Sequence, residues 1–111
     1  MKSYPQVGDI IRIDFDPQSG KEIKKARPAL VVSCDFFNEK IGLVMVCPIT
    51  STIRNFPLHV KLDSRTTTQG EIMCEQLKSL DFTARSWKFF EKVPDDILDN
   101  VVDILSDVIG K

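Results

Sequence analysis

A chain of 111 residues, 42% hydrophobic and 28% charged, has the size for one core and the apolar content to build it, which excludes general disorder. No apolar run approaches the roughly 20 residues that cross a bilayer as a helix. A formal net charge of −1 speaks against an indiscriminate polyanion binder.

That average conceals an asymmetry. Residues 1–92 hold 14 Lys/Arg against 11 Asp/Glu, whereas residues 93–111 hold one Lys and five Asp. Only the larger N-terminal part can present a basic face to a phosphate backbone. Cys34, Cys47 and Cys74, odd in number and widely spaced, read as buried thiols in a reducing compartment rather than a disulfide framework. Met1 to Gln6 carries no secretory apolar stretch, and no repeat, linker or low-complexity tract divides the chain. The expectation is one domain over residues 1–111, in the cytoplasm.

From Val7 to Phe15, Ile11, Ile13 and Phe15 alternate with Arg12 and Asp14, the period of a half-buried strand. Asp16-Pro17-Gln18-Ser19-Gly20 breaks the pattern and opens a polar loop through Lys25. Ala29 to Cys34, a short apolar run, reads as a core strand. Asn38-Glu39-Lys40 marks a turn, and Leu43 to Cys47 forms the next strand. A second polar loop, Thr50 to Phe56, precedes Leu58 to Leu62, where alternation is strict. Arg65 to Gly70 is a third loop, and short strands follow at Glu71–Gln76, Ser79–Phe82 and Lys88–Lys92. The period then changes. Ile97, Leu98, Val101, Val102, Leu105, Val108 and Ile109 form an apolar stripe at helical spacing. Pro94-Asp95-Asp96 suits the helix start and Gly110 its stop. Short strands with frequent turns and one terminal helix indicate a small curled sheet or barrel.

Several chemistries drop out. With no C-x-x-C and a single histidine there is no zinc-ligand spacing, and no glycine loop of the nucleotide-binding kinds is present. His59 lies mid-strand, opposite in direction to Leu58 and Val60, and reads as an exposed strand histidine rather than a triad member. No metal and no bound cofactor is expected.

Three polar segments remain, each next to a strand end. In Gly20-Lys21-Glu22-Ile23-Lys24-Lys25-Ala26-Arg27-Pro28, four cations surround one carboxylate. Such a loop either solubilises the surface or folds over an anionic ligand. Arg27 comes last, before a proline that keeps it out of the helical region, so its guanidinium is held by a strand and is suited to gripping phosphate oxygens. Thr50-Ser51-Thr52 places three hydroxyls after an apolar strand, where they bond local backbone or donate to phosphate. Phe56 stacks a base or closes the core. Glu75-Gln76-Leu77-Lys78-Ser79 is a polar cluster between two strand-like pieces, a salt-bridged sheet edge or a reader of base edges and phosphate.

These segments, in this order, make the chain resemble the MazF/PemK family of toxins. The matching pieces are Val7-Gly8-Asp9-Ile10-Ile11, Phe15-Asp16-Pro17, Gly20-Lys21-Glu22, Arg27 to Val32, Pro48-Ile49-Thr50-Ser51, Glu75 to Ser79, Asp81 and the helix from Val93-Pro94. The resemblance implies a mainly β (β+α) fold, an SH3-like barrel of five to seven short strands with a C-terminal α-helix (CcdB/PemK-like). It further implies a metal-independent, sequence-specific endoribonuclease that acts as a homodimer, cuts single-stranded RNA and is neutralised by a cognate antitoxin protein. Arg27 and Thr50 carry over as catalytic, with Glu22 a participant. Glu75 and Gln76 match positions that hold RNA, and Lys78 and Ser79 belong to the same signature. Lys21, Lys24, Lys25 and Ser51 complete the expected RNA-binding set. Two departures stand out: Glu22 is flanked by Lys21 and Ile23, where serine or histidine and glutamine are common, and Met73 stands where some members place an arginine. The alternatives are a non-enzymatic, CcdB-like gyrase-binding toxin and a catalytically silent SH3-like interaction module.

Overall fold

The computed structural model describes residues 2–16 and 26–110. Among the described residues are seven antiparallel strands: β1 (Asp9–Ile13), β2 (Arg27–Val31), β3 (Leu43–Thr50), β4 (His59–Lys61), β5 (Glu71–Met73), β6 (Lys78–Asp81) and β7 (Trp87–Lys92). Two helices accompany them, α1 (Asp35–Ile41) and α2 (Asp95–Ile109). The strand order is β4-β5-β3-β2-β1-β7, with β6 also pairing β3, so the sheet curls like a barrel without closing. The expected mainly β fold with a C-terminal helix is what forms.

β3 is the hub. Its first half pairs β6 (Leu43 with Asp81, Val46 with Lys78), and its last residues pair β5 (Ile49 with Ile72, Thr50 with Glu71). Along its other edge runs β2, with Ala29 opposite Pro48 and Leu30 opposite Cys47. Side chains alternate across these strands, so one sheet feeds two cores. Ile10, Leu30, Cys47, Ile49, Val60, Ile72 and Cys74 pack with Val93, Ile97 and Val101 at the start of α2. Ile11, Ile13, Ala29, Val31, Val44, Val46, Leu80 and Phe82 form the second core. Alternation along β1 sends Ile10 into one core and Ile11 and Ile13 into the other, and the β1–β7 register shifts between Ile10 and Ile11.

Several details differ from what the sequence suggests. Asn38-Glu39-Lys40 is helix, not turn: Asn38 is fully buried, donating Nδ2 to the Pro5 and Ser33 carbonyls and accepting from the Ser33 hydroxyl. Gly42, at φ +79°, ends that helix in the left-handed region, with its N–H on the Asn38 carbonyl. β3 runs on through Thr50, and Glu71–Gln76 splits into a three-residue strand and a 3₁₀ turn at Cys74–Gln76. The α2 stripe is covered unevenly: Ile97 and Val101 are buried, Leu98 and Leu105 pack half-buried against the core, and Val102, Val108 and Ile109 are exposed. Of the thiols, Cys47 and Cys74 are buried and free, but Cys34, preceding α1, is exposed. Among the described residues no helix is long and apolar enough to cross a membrane.

Candidate active site

A groove of about 840 Å³ opens where β2, β3 and β5 come together. Arg27 and Pro28 line it from β2, and Pro48, Ile49 and Thr50 from β3. Continued to the strand ends, the β2–β3 register brings Arg27 level with Thr50. Arg27 is exposed at the first residue of its strand, while the core residues Ala29, Leu30 and Val31 anchor the same strand immediately behind it. A guanidinium carried this way keeps its charge in water and its backbone in the sheet. Thr50 Oγ1 accepts a 3.2 Å hydrogen bond from the Thr52 N–H, which leaves the hydroxyl proton to donate elsewhere.

The lining is chemically one-sided. Among the described residues it contains three cations (Arg12, Arg27, Lys78), five hydroxyls (Thr50, Ser51, Thr52, Thr67, Thr68), two amides (Gln69, Gln76) and no carboxylate. In a chain of net charge −1 this is a concentrated cationic surface. Phe15 and Phe90 add aromatic faces, with the Arg12 guanidinium 5.9 Å from the Phe90 ring centre. The arrangement can hold an extended anion whose flat groups stack on aromatics, which describes a single nucleic-acid strand.

Two anchors shape the groove from behind. Glu91 on β7 accepts from the Thr67 and Thr68 N–H groups at 2.9 and 2.7 Å and from the Thr68 hydroxyl at 2.7 Å, pinning the loop that supplies Thr67, Thr68 and Gln69. Burial works against charge on Glu91, but these bonds outweigh it and hold its pKa below the usual carboxylate value. Arg65 fixes the same loop to α2 through Asp96 at 2.7 Å, with Asp63 also on the guanidinium. Gly70 then approaches β3 so closely that a methyl group there would drive into the Thr50 carbonyl, and its φ of +121° disfavours any other residue.

Of the residues singled out from sequence, the groove gathers Arg27, Thr50, Ser51, Gln76 and Lys78. Lys21, Glu22, Lys24 and Lys25 lie outside the described residues. Glu75 and Ser79 do not line the groove: the Glu75 carboxylate is turned onto His59 at 2.9 Å, and Ser79 is exposed on β6 opposite Met45. His59 is not an exposed strand histidine. Its side chain is 3% exposed and sits between Glu71 and Glu75. Phe56 does not close the core either; it remains exposed, edge-on to the His59 ring at 5.2 Å. Sequence reasoning missed Arg12, Phe90 and the Thr67–Gln69 loop as groove residues. Arg12 appears only as the polar partner in an alternating strand, and nothing local announces which sheet face becomes a groove.

Residues 6–109 match the family model described as the PemK-like, MazF-like toxin of type II toxin–antitoxin systems. The chain is 35% identical to endoribonuclease PemK of Escherichia coli, over 97% of this chain and 84% of that protein. It is 33% identical to endoribonuclease toxin ChpB of Escherichia coli, over 97% of both chains. The crystal structure of MazF from Deinococcus radiodurans superposes with a TM-score of 0.87 at 31% identity, over 99% of this chain and 100% of that one. The MazE–MazF complex from the same organism contains a chain that superposes at 0.86 with 28% identity, over 98% of both. A match across nearly the full chain, a shared fold and a cationic groove with Arg27 beside Thr50 agree, and the chain belongs to the PemK-like, MazF-like toxin family of type II toxin–antitoxin systems.

Proposed function

We infer that this chain is an endoribonuclease toxin that cuts single-stranded RNA and thereby arrests translation. The observation that carries this reading is the groove itself, with three cations and five hydroxyls, no carboxylate among its described lining residues, and Arg27 level with Thr50 at the junction of β2 and β3. The named relatives are endoribonucleases, which favours this reading over a CcdB-like gyrase binder or a silent module.

RNA supplies its own nucleophile. The ribose 2′-hydroxyl attacks the adjacent phosphorus, the bond from phosphorus to the 5′-oxygen breaks, and the products are a 2′,3′-cyclic phosphate and a 5′-hydroxyl. The 2′ proton leaves to a base and the departing oxygen gains one. Arg27 stabilises the additional negative charge on the phosphoryl oxygens, where a fixed cation in a partly dehydrated groove acts most strongly. Thr50 donates to one of those oxygens. Glu22, the participant that the family resemblance carries over and the one carboxylate among the cations of residues 20–28, is assigned as the base. Lys78, Gln76 and Ser51 hold the strand, Arg12 and Phe90 extend its path, and Lys21, Lys24 and Lys25 complete the expected RNA-binding set.

The same cationic groove suits an extended acidic segment of a cognate antitoxin, which would cover the RNA path. The chain works as a homodimer in the cytoplasm, where its substrate is. Cleavage of a single-stranded oligoribonucleotide tests the assignment: Arg27→Ala loses about a hundred- to a thousandfold in rate with folding intact, and near-normal turnover would refute it.

A further inference from the structure

The sequence contains one histidine, and the structure buries it behind the groove rather than in it. His59 Nδ1 lies 2.8 Å from Glu71 Oε1 and Nε2 lies 2.9 Å from Glu75 Oε2. Both ring nitrogens can donate only when the imidazole carries two protons; a neutral ring would face one carboxylate with a lone pair. Each carboxylate ties the ring to a different segment that supplies groove residues. Glu71, fully buried, also accepts from the backbone N–H groups of Arg54 and Asn55 at 3.2 and 3.1 Å. Asn55 is the one non-glycine residue at positive φ (+54°) among those described, so this carboxylate holds a tight bend in the segment that leaves Thr50, Ser51 and Thr52. Glu75 sits on the 3₁₀ turn whose next residue, Gln76, lines the groove.

We propose that His59 is a positioning residue for RNA: by bridging Glu71 and Glu75 it fixes the segment after Thr50 and the turn carrying Gln76 at a set spacing. This rests on the nuclease reading above. The cross-strand register explains why the bridge forms, since His59 opposite Met73 and Lys61 opposite Glu71 make His59 and Glu71 diagonal neighbours on one face. The titratable groups around the ring are Glu71 from β5 and Glu75 and Cys74 from the turn; the 51–58 segment contributes the Phe56 ring and backbone. Burial opposes charge on the imidazole, but the hydrogen bonds to Glu71 and Glu75 outweigh it and raise its pKa above the ordinary histidine value. Loss of the proton at higher pH releases one carboxylate. Glu75, 29% exposed and reachable by water, is the one that lets go, and the turn bearing Gln76 loosens.

The test compares the wild-type chain with His59→Gln on a single-stranded oligoribonucleotide between about pH 6 and about pH 9. Glutamine can reach one carboxylate but cannot donate in two opposite directions. The wild-type KM rises about tenfold across the interval in which the imidazole loses its proton, a transition read separately from the single histidine signal by NMR. His59→Gln shows the raised KM at every pH, with kcat within about twofold of wild type at each pH because Arg27 and Thr50 are untouched. A variant KM that matches wild type and follows the same pH profile overturns the proposal. Should the variant not fold, the wild-type comparison decides: an imidazole that titrates with no accompanying change in KM overturns it equally. A wild-type chain that neither binds nor cuts RNA at any pH would instead overturn the nuclease reading. Amide exchange at Glu75 and Gln76, on the turn that loosens once the ring is deprotonated, then still reads the clamp, and unchanged exchange would remove it too.

Discussion

Arg27 combines two properties that seldom coincide: its guanidinium is exposed in a groove, and its backbone is the first residue of a core strand. A proline after it and three buried residues beyond fix the backbone that carries the charge. Bidentate geometry matters here as well as charge, so Arg27→Lys retains attraction for RNA but loses the paired hydrogen bonds. The expected result is a kcat lower by about tenfold or more with KM nearly unchanged, read from steady-state cleavage. In the proposed mechanism Thr50 contributes one hydroxyl donor to a charged oxygen, an interaction of about 1.5–3 kcal/mol. Thr50→Val therefore slows cleavage by roughly ten- to a hundredfold, while Thr50→Ser restores most of it; equal rates for the two variants would remove the hydroxyl from the mechanism. His59 and Glu71 set a pH window for the fold. Glu71 is held below its ordinary pKa, chiefly by the bond from His59, so its contribution is present above about pH 4.5 and is lost as pH falls through the depressed value. His59 is raised, so its contribution is complete below about pH 6.5 and is lost as pH rises through the raised value. Thermal unfolding followed against pH has an alkaline decline in this range that His59→Gln abolishes. The acid decline survives, because Asp63, Asp81, Glu91 and Asp96 are also held low by their partners.

Among the elements, β3 organises the molecule because its two ends pair different strands and its last residue, Thr50, faces β5 across Gly70. Gly70→Ala forces a methyl group into the Thr50 carbonyl at a backbone angle that L-residues avoid. The expected cost is about 2 kcal/mol or more in denaturant unfolding, with cleavage reduced beyond what instability explains. A variant as stable and active as wild type would show that β3 and the 65–70 loop are not in contact. Most strands were legible from sequence because alternation and apolar runs report burial directly: Ile11, Ile13, Leu30, Val44 and Val46 all lie in the cores they suggest. α1 was not legible, since Asn38-Glu39-Lys40 has the polarity of a turn and only the Pro5 and Ser33 partners make a buried asparagine favourable. His59 failed for a related reason. Alternation tells which face a side chain occupies, but not that Glu71 and Glu75 cover that face. Arg27 and Thr50 were legible as a pair only through the family resemblance; each alone also fits a surface loop or a turn. Arg12, Phe90 and the Thr67–Gln69 loop meet only through the β1–β7 pairing and the Glu91 anchor, both long-range.

For the whole molecule, the charge asymmetry between residues 1–92 and 93–111 becomes spatial: the cations that line the groove come from β1, β2 and β6, while five aspartates lie on α2. In the proposed function, binding through Lys78, Arg27 and Arg12 releases counterions from RNA, so affinity falls linearly in log–log coordinates with salt, by about 0.7 per phosphate neutralised. Lys78→Gln is expected to flatten that slope by about 0.7 without abolishing cleavage, and an unchanged slope would take Lys78 off the RNA path. The central claim is that the RNA attacks its own backbone while Arg27 and Thr50 stabilise the phosphoryl group. The most direct measurement is the chemistry of the ends left when purified protein cuts a long RNA. The account predicts 2′,3′-cyclic or 3′-phosphate ends paired with 5′-hydroxyl ends, and no cut where the scissile ribose is replaced by deoxyribose. Products bearing 5′-phosphate and 3′-hydroxyl ends, or cleavage that persists at the deoxyribose, would contradict it.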